Sequence, residues 1–89
     1  MLVRYFAAAC AAAGVEEEHH DLSEGTTLDG LIAAILAVDR RIEGSTGNFS
    51  LAMVIDRSSF LRNEVALRDH GAKLSTGDVV DVLPPFAGG

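Results

Sequence analysis

The chain has 89 residues and a formal net charge of −6 at neutral pH. This length suits one domain with a modest core, and the negative charge argues against nucleic acids or anionic membranes as partners. A single cysteine, Cys10, excludes an internal disulfide and a cysteine-rich metal cluster. No apolar run approaches the roughly 20 residues of a membrane span, so the sequence predicts a soluble, cytoplasmic domain.

The N-terminal segment, residues 2–8, predicts a first strand, because its side chains alternate between two faces. The face predicted to meet the main helix carries Val3, Tyr5 and Ala7. The opposite, open face carries Leu2, Arg4 and Phe6. The alanine-rich residues 9–13 then predict a short helical turn that Gly14 closes.

Residues 16–22 predict an edge strand, since their charges discourage pairing with another sheet. His19 and His20 are adjacent on this strand and point to opposite faces, so they cannot hold one metal ion together. We interpret them as an exposed polar pair, and the sequence predicts no metal site.

The segment from Thr26 to about Val38 predicts the main helix. Thr26 and Asp29 have the spacing of a capping box, in which each side chain bonds the other residue's backbone N–H. Apolar residues recur at helical spacing and form one stripe. This stripe consists of Leu28, Leu31, Ile32, Ile35 and Leu36.

The second half of the chain predicts shorter elements. Residues 44–48 form a loop, and residues 49–56 fit either a short helix or a buried strand; we favour a helix beginning near Ser50. Residues 60–62 and 65–67 predict a hairpin, and residues 79–83 predict the final strand. This order predicts an α+β fold, the β-grasp (ubiquitin-like) roll, in which a mixed sheet packs on one main helix and the last strand lies beside the first.

The final six residues predict an extended tail (84–89) outside the β-grasp domain (1–83). Pro84 and Pro85 remove two backbone donors, so the last strand must stop before them. Gly88 and Gly89 lack a Cβ and leave the tail slim enough to enter a narrow channel. The alternative interpretation of such a tail is a frayed chain end.

Four motifs along the chain resemble the MoaD/ThiS family of ubiquitin-like sulfur carriers. They are Tyr5-Phe6-Ala7 with Gly14, Thr26-Thr27-Leu28, Leu74 with Gly77-Asp78, and Val82-Leu83-Pro84-Pro85-Phe86-Ala87-Gly88-Gly89. The resemblance is closer to the molybdopterin branch of the family, for which the double proline is typical. One departure is Cys10-Ala11, where members often carry Arg-Glu.

The resemblance implies a chemistry for Gly89. An E1-like (MoeB-like) adenylating enzyme would consume ATP to convert the Gly89 carboxylate to an acyl-adenylate. A sulfur donor would then displace AMP and leave a thiocarboxylate. The large subunit of molybdopterin synthase (MoaE-like) would receive this sulfur on a cyclic pterin phosphate. The chain itself would bind no cofactor, and the catalytic residues would belong to the large subunit.

The candidate site residues follow from this chemistry and from the open face of the sheet. Gly89 would carry the reactive carbon, and Gly88 would give it steric access. The residues predicted to bind partners are Phe6, Leu83, Pro84, Pro85, Phe86 and Ala87. Three alternatives stay open, namely a sulfur carrier for thiamine or cysteine biosynthesis, a ubiquitin-like modifier joined to target lysines, and an interaction module with an inert tail.

Overall fold

The computed structural model describes residues 1–40 and 50–85. The predicted 44–48 loop and the tail residues from Phe86 onward lie outside these ranges. The elements in chain order are β1 (Leu2–Tyr5), α1 (Ala8–Ala13), β2 (Glu17–His19), α2 (Leu28–Ala37), α3 (Leu51–Asp56), β3 (Ser59–Arg62), β4 (Val65–Leu67) and β5 (Val79–Leu83). The helix favoured for residues 49–56 is therefore confirmed as α3, which Ser50 caps by accepting from the Met53 N–H.

The five described strands form one mixed sheet in the order β2-β1-β5-β3-β4. β1 pairs in parallel with β5, with Val3 opposite Val80 and Tyr5 opposite Val82, and the other neighbouring strands pair antiparallel. The predicted α+β class and the placement of the last strand beside the first are both confirmed. Because β1 and β5 run in the same direction, both strands end at the same edge of the sheet.

The core lies between the sheet and the helices, mainly α2. Side chains of β1, β5 and α2 fill it, as the alternation and the helical stripe predict. Its fully buried members include Val3, Leu28, Leu31, Ile35, Leu74, Val80 and Val82. The prediction for Leu36 is wrong, since this side chain is 42% exposed. Leu36 is rotated by about 100° from the buried Ile35, which puts it on the flank of the helix.

The N-terminal cap of α2 differs from the predicted capping box. Thr27 is the cap, and its Oγ1 accepts from the Gly30 N–H at 3.1 Å. The Thr26 hydroxyl donates instead to the carbonyl of Ser23 at 2.7 Å, and the Asp29 carboxylate hydrogen-bonds His70 Nδ1 at 2.9 Å. Two adjacent threonines offer the same capping group, so only the backbone path decides which of them caps.

The two N-terminal strands are shorter than predicted. β1 ends at Tyr5 because Ala7 adopts a positive φ of 50° and the chain turns into α1. The carbonyl of Phe6 accepts from the Ala9 N–H at 3.0 Å, which anchors the first turn of this helix. The predicted exposed histidine pair is also wrong, because only His19 is exposed and His20 is buried against the sheet edge.

A largely buried polar cluster ties the segment after α2 to the paired strands β1 and β2. The Glu18 carboxylate accepts from the Tyr5 hydroxyl at 2.6 Å and from Arg40 Nη1 at 2.9 Å, and it lies 2.7 Å from His20 Nε2. Arg40 also donates to the carbonyls of Ala13 and Ile35, at 3.2 and 3.1 Å. Burial favours a higher pKa for Glu18, but the hydrogen bonds from Arg40, Tyr5 and His20 outweigh it and lower the pKa to about 2.

We expect Glu18→Gln to lower the free energy of unfolding at neutral pH, with the loss shrinking in acid. The native pKa of Glu18 lies below the ordinary value of 4.5, so its stabilisation is complete above pH 4.5 and disappears as the pH falls towards about 2. Urea unfolding of both proteins at several pH values measures this difference. The other carboxylates titrate in both proteins, so their effects on stability cancel in the comparison. A difference in the free energy of unfolding that does not change with pH would contradict the stabilising role assigned to the Glu18 carboxylate.

Within the described residues, no helix is long and apolar enough to cross a membrane. In the same part of the chain, no group of histidine, cysteine and carboxylate side chains is arranged to hold a metal ion.

Candidate functional site

The tail leaves the domain at the sheet edge where β1 and β5 end together. The Phe6 N–H donates to the carbonyl of Val82 at 3.2 Å and so continues the pairing one residue beyond β1. On the other side of β5, Leu83 pairs with Ser59 at the start of β3. Pro84 has no backbone N–H with which to extend this ladder, and the strand ends before it, as predicted.

The described residues at this edge present apolar surface. The Phe6 side chain is 41% exposed, Leu83 and Pro84 are half-buried, and Pro85 is exposed. Single exposed apolar residues are common on protein surfaces, but here they adjoin one another where the tail begins. Such a surface suits the docking of a partner protein.

Strand alternation extends this surface along the open face of the sheet. Three neighbouring strands present side chains on the face opposite the core. In the described part of the sheet, these side chains are Leu2, Arg4, Ser59, Leu61, Val79, Asp81 and Leu83. Ser59 and Leu61 were absent from the sequence prediction, because only the register of β3 against β5 brings them beside Leu83 and Asp81.

An ion pair lies in the middle of the open face. Arg4 Nε donates to one carboxylate oxygen of Asp81 at 2.6 Å, and Arg4 Nη2 donates to the other at 2.9 Å. The carboxylate of this pair is covered, since Asp81 is only 3% exposed. The hydrogen bond from Arg4 to Asp81 raises the pKa of the guanidinium. The two parallel hydrogen bonds between the planar guanidinium and carboxylate groups hold β1 against β5 just before the tail.

The structure brings together four of the predicted site residues, namely Phe6, Leu83, Pro84 and Pro85. Phe86, Ala87, Gly88 and Gly89 lie outside the described residues, so their roles stay predictions. The described side chains at the tail exit are apolar, apart from Ser59. They offer a surface for docking.

The sheet order, the parallel pairing of β1 with β5 and the covering helix α2 define a β-grasp, ubiquitin-like protein. The model of the ThiS family matches residues 3–89, and the chain therefore belongs to the ThiS family. It is a sulfur carrier of the ThiS/MoaD type.

Two similar proteins support this assignment, and a third supports the fold. The molybdopterin synthase sulfur carrier subunit of Chlamydomonas reinhardtii is 30% identical over 88 residues, which cover 98% of this chain and 95% of that protein. A Pyrococcus furiosus structure assigned as molybdopterin converting factor, subunit 1, is 29% identical with a TM-score of 0.70, covering 96% of this chain and 95% of that one. The H. volcanii small archaeal modifier protein 1 has a TM-score of 0.68 at 24% identity, with 97% of each chain covered, and at this identity it supports the fold alone.

Proposed function

We propose that the chain is the sulfur carrier subunit of a molybdopterin synthase and carries sulfur as a thiocarboxylate on Gly89. The observation that carries the proposal is the extent of the family match, which runs from residue 3 through the tail to residue 89. The Chlamydomonas relative that bears this name is similar over nearly the whole chain, which favours the molybdopterin pathway over the other sulfur-transfer pathways.

The proposed chemistry needs activation, because a carboxylate is a poor electrophile. An E1-like adenylating enzyme transfers AMP from ATP to the Gly89 carboxylate and releases pyrophosphate. A sulfur donor attacks the acyl carbon, the bond to AMP breaks, and a thiocarboxylate is left. Because the activation consumes ATP, we place the protein in the cytoplasm. The absence of Cβ atoms at Gly88 and Gly89 lets successive enzymes approach the same carbon.

The geometry of the tail exit supports the transfer step. Pro84 restricts the backbone where the tail leaves β5, and this lowers the entropy lost when the tail enters a partner. The apolar edge formed by Phe6 and Leu83 adjoins this exit, so a large subunit docked there receives the tail directly. The large subunit holds the cyclic pterin phosphate and supplies the catalytic groups, while this chain supplies the sulfur.

Intact-mass spectrometry tests the proposal. The purified chain is incubated with a MoeB-like enzyme, ATP and sulfide, and we expect its mass to rise by the replacement of one oxygen by sulfur. Omitting ATP is the control, and it should leave the mass unchanged. A protein modifier would instead form amide-linked adducts with added proteins, and an inert tail would show neither product. Either of these outcomes would contradict the proposal.

We expect Phe6→Ala to weaken binding of the large subunit much more than it weakens folding. Truncation of an aromatic anchor commonly costs about 2 kcal/mol or more of binding free energy, or roughly a thirtyfold rise in Kd. Isothermal titration calorimetry measures the Kd, and urea unfolding measures stability. Val65→Ala is a suitable control, because Val65 is 67% exposed and the sheet register places it beside Arg62, opposite Val80 and away from Leu83. Equal losses of binding and stability would show that Phe6 is a core residue.

A further inference from the structure

The pair formed by Arg4 and Asp81 is the polar centre of a mainly apolar surface. Four apolar side chains lie around it on the open face of the sheet, namely Leu2, Leu61, Val79 and Leu83. Asp81 is covered, whereas the side chain of Arg4 is 36% exposed. The guanidinium is therefore the part of the pair that a partner docked on this face would contact.

The Arg4 side chain has more hydrogen-bond donors than Asp81 uses. A guanidinium has five N–H groups, and only two of them, one on Nε and one on Nη2, donate to Asp81. Within residues 1–40 and 50–85, the Nη1 atom of Arg4 has no acceptor. Because the guanidinium is planar and bonds the carboxylate through Nε and Nη2, Nη1 lies on its other side. The N–H groups of Nη1 are thus open to a partner.

Docking on the open face would remove the guanidinium of Arg4 from water. A charged donor that is buried without an acceptor weakens binding, whereas one that finds an acceptor contributes a strong hydrogen bond. The same burial therefore favours a partner that offers an acceptor at this point, and it disfavours a partner that is apolar throughout.

The charges around Arg4 indicate which kind of acceptor fits. Glu17 lies directly opposite Arg4 on β2. The pKa of the guanidinium is raised by Asp81 above all, and then by the charges of Glu64 and Glu17. These three carboxylates would repel a further carboxylate from a partner. A neutral carbonyl oxygen, from a backbone or from an asparagine or glutamine side chain, meets no such repulsion.

We propose that Arg4, held in place by Asp81, determines which large subunit can dock, because it requires a neutral carbonyl oxygen opposite Nη1. The inference rests on the proposed function, in which the large subunit docks at the tail exit. The surface around Arg4 is continuous with this exit, since Leu83 follows Asp81 by two residues on β5, or about 7 Å along the strand. A subunit that contacts Phe6 and Leu83 therefore also covers Arg4.

Isothermal titration calorimetry of the full chain with the molybdopterin synthase large subunit of the same organism tests the inference. Arg4→Lys keeps the positive charge and its attraction to Asp81, but a lysine amine lacks the planar fork that serves two acceptors at once. We expect the Kd to rise about tenfold or more. Lys73→Arg is the control, because it makes the reverse exchange at an exposed residue beside the start of α2, and its Kd should stay within about twofold of the parent.

The double variant Arg4→Met, Asp81→Val separates binding from folding. Replacement of a covered ion pair by apolar side chains often leaves stability unchanged or raises it, so urea unfolding should show no loss. The Kd should still rise about tenfold, because the carbonyl of the partner loses its donor and is buried without one. A pair that served folding alone would not give this split.

Three results would overturn the inference. The first is an Arg4→Lys protein that binds as tightly as the parent, and the second is a double variant that binds as tightly or more tightly. The third is tighter binding by Glu17→Gln, because only a carboxylate on the partner would be relieved of repulsion by that change. Failure of the parent chain to bind the large subunit would contradict the proposed function as well, whereas equal binding by the parent and the Arg4 variants would contradict this inference alone.

Discussion

Deletion of Gly89, or addition of one residue after it, is expected to abolish sulfur transfer and leave the fold intact. The reactive carbon in the proposed chemistry is the carboxyl carbon of Gly89, and a shift of about 3.5 Å along the chain, one residue in length, removes it from its place in both partner active sites. Thiocarboxylate formation measured by intact mass should fall to background in both variants.

The same two variants report on the fold through their melting temperatures. Within residues 1–40 and 50–85, the buried core consists of residues between Met1 and Val82 and includes neither Pro84 nor Pro85. Melting temperatures equal to that of the parent chain are therefore expected. An extended protein that transfers sulfur at the parent rate without being trimmed back to Gly89 would refute the carrier mechanism.

Leu31→Ala is expected to cost about 2–5 kcal/mol of the free energy of unfolding, the usual range for truncation of a buried leucine. Leu31 is fully buried on the inner face of α2, and its removal leaves a cavity between this helix and the sheet. In a domain of this size such a loss is a large part of the total stability. Urea unfolding followed by circular dichroism measures it.

Leu36→Ala is the matched control on the same helix. It makes the same chemical change at a side chain that is 42% exposed, so its effect should stay within about 0.5 kcal/mol, the range usual for surface substitutions. If Leu31→Ala were to unfold the domain completely, Leu31→Met, which roughly conserves volume, should keep it folded at a cost below about 1.5 kcal/mol. Similar losses for Leu31→Ala and Leu36→Ala would contradict the assignment of the helix face.

The elements that the sequence predicts well are those with a strong local pattern. The stripe of α2 places Leu28, Leu31 and Ile35 in the core, and the hairpin turn at Asn63-Glu64 is confirmed. Both turn residues adopt a positive φ, which asparagine tolerates better than glutamate. The Asn63 side chain holds the turn further, because its Nδ2 donates to Asp78 Oδ1 and its Oδ1 accepts from the Val79 N–H, each at 3.0 Å.

The features that the sequence does not predict depend on contacts between distant segments. Arg40 donates to Glu18, which lies 22 residues earlier, and no periodicity connects the two. The positive φ of Ala7 has no signal in a run of alanines, so β1 was predicted too long. At the candidate site, alternation identifies Phe6 and Leu83, but the burial of Asp81 beneath Arg4 and the position of Ser59 require the sheet register.

The central claim is that this sulfur carrier serves molybdopterin synthesis, and a single-turnover transfer tests it most directly. The thiocarboxylated chain is mixed with a molybdopterin synthase large subunit and the cyclic pterin phosphate, and both the chain and the pterin are followed by mass spectrometry. The proposal predicts that the pterin gains sulfur while the chain returns to its carboxylate mass. A thiocarboxylate that persists in this mixture, yet passes its sulfur to the acceptor enzyme of thiamine or cysteine biosynthesis, would contradict it.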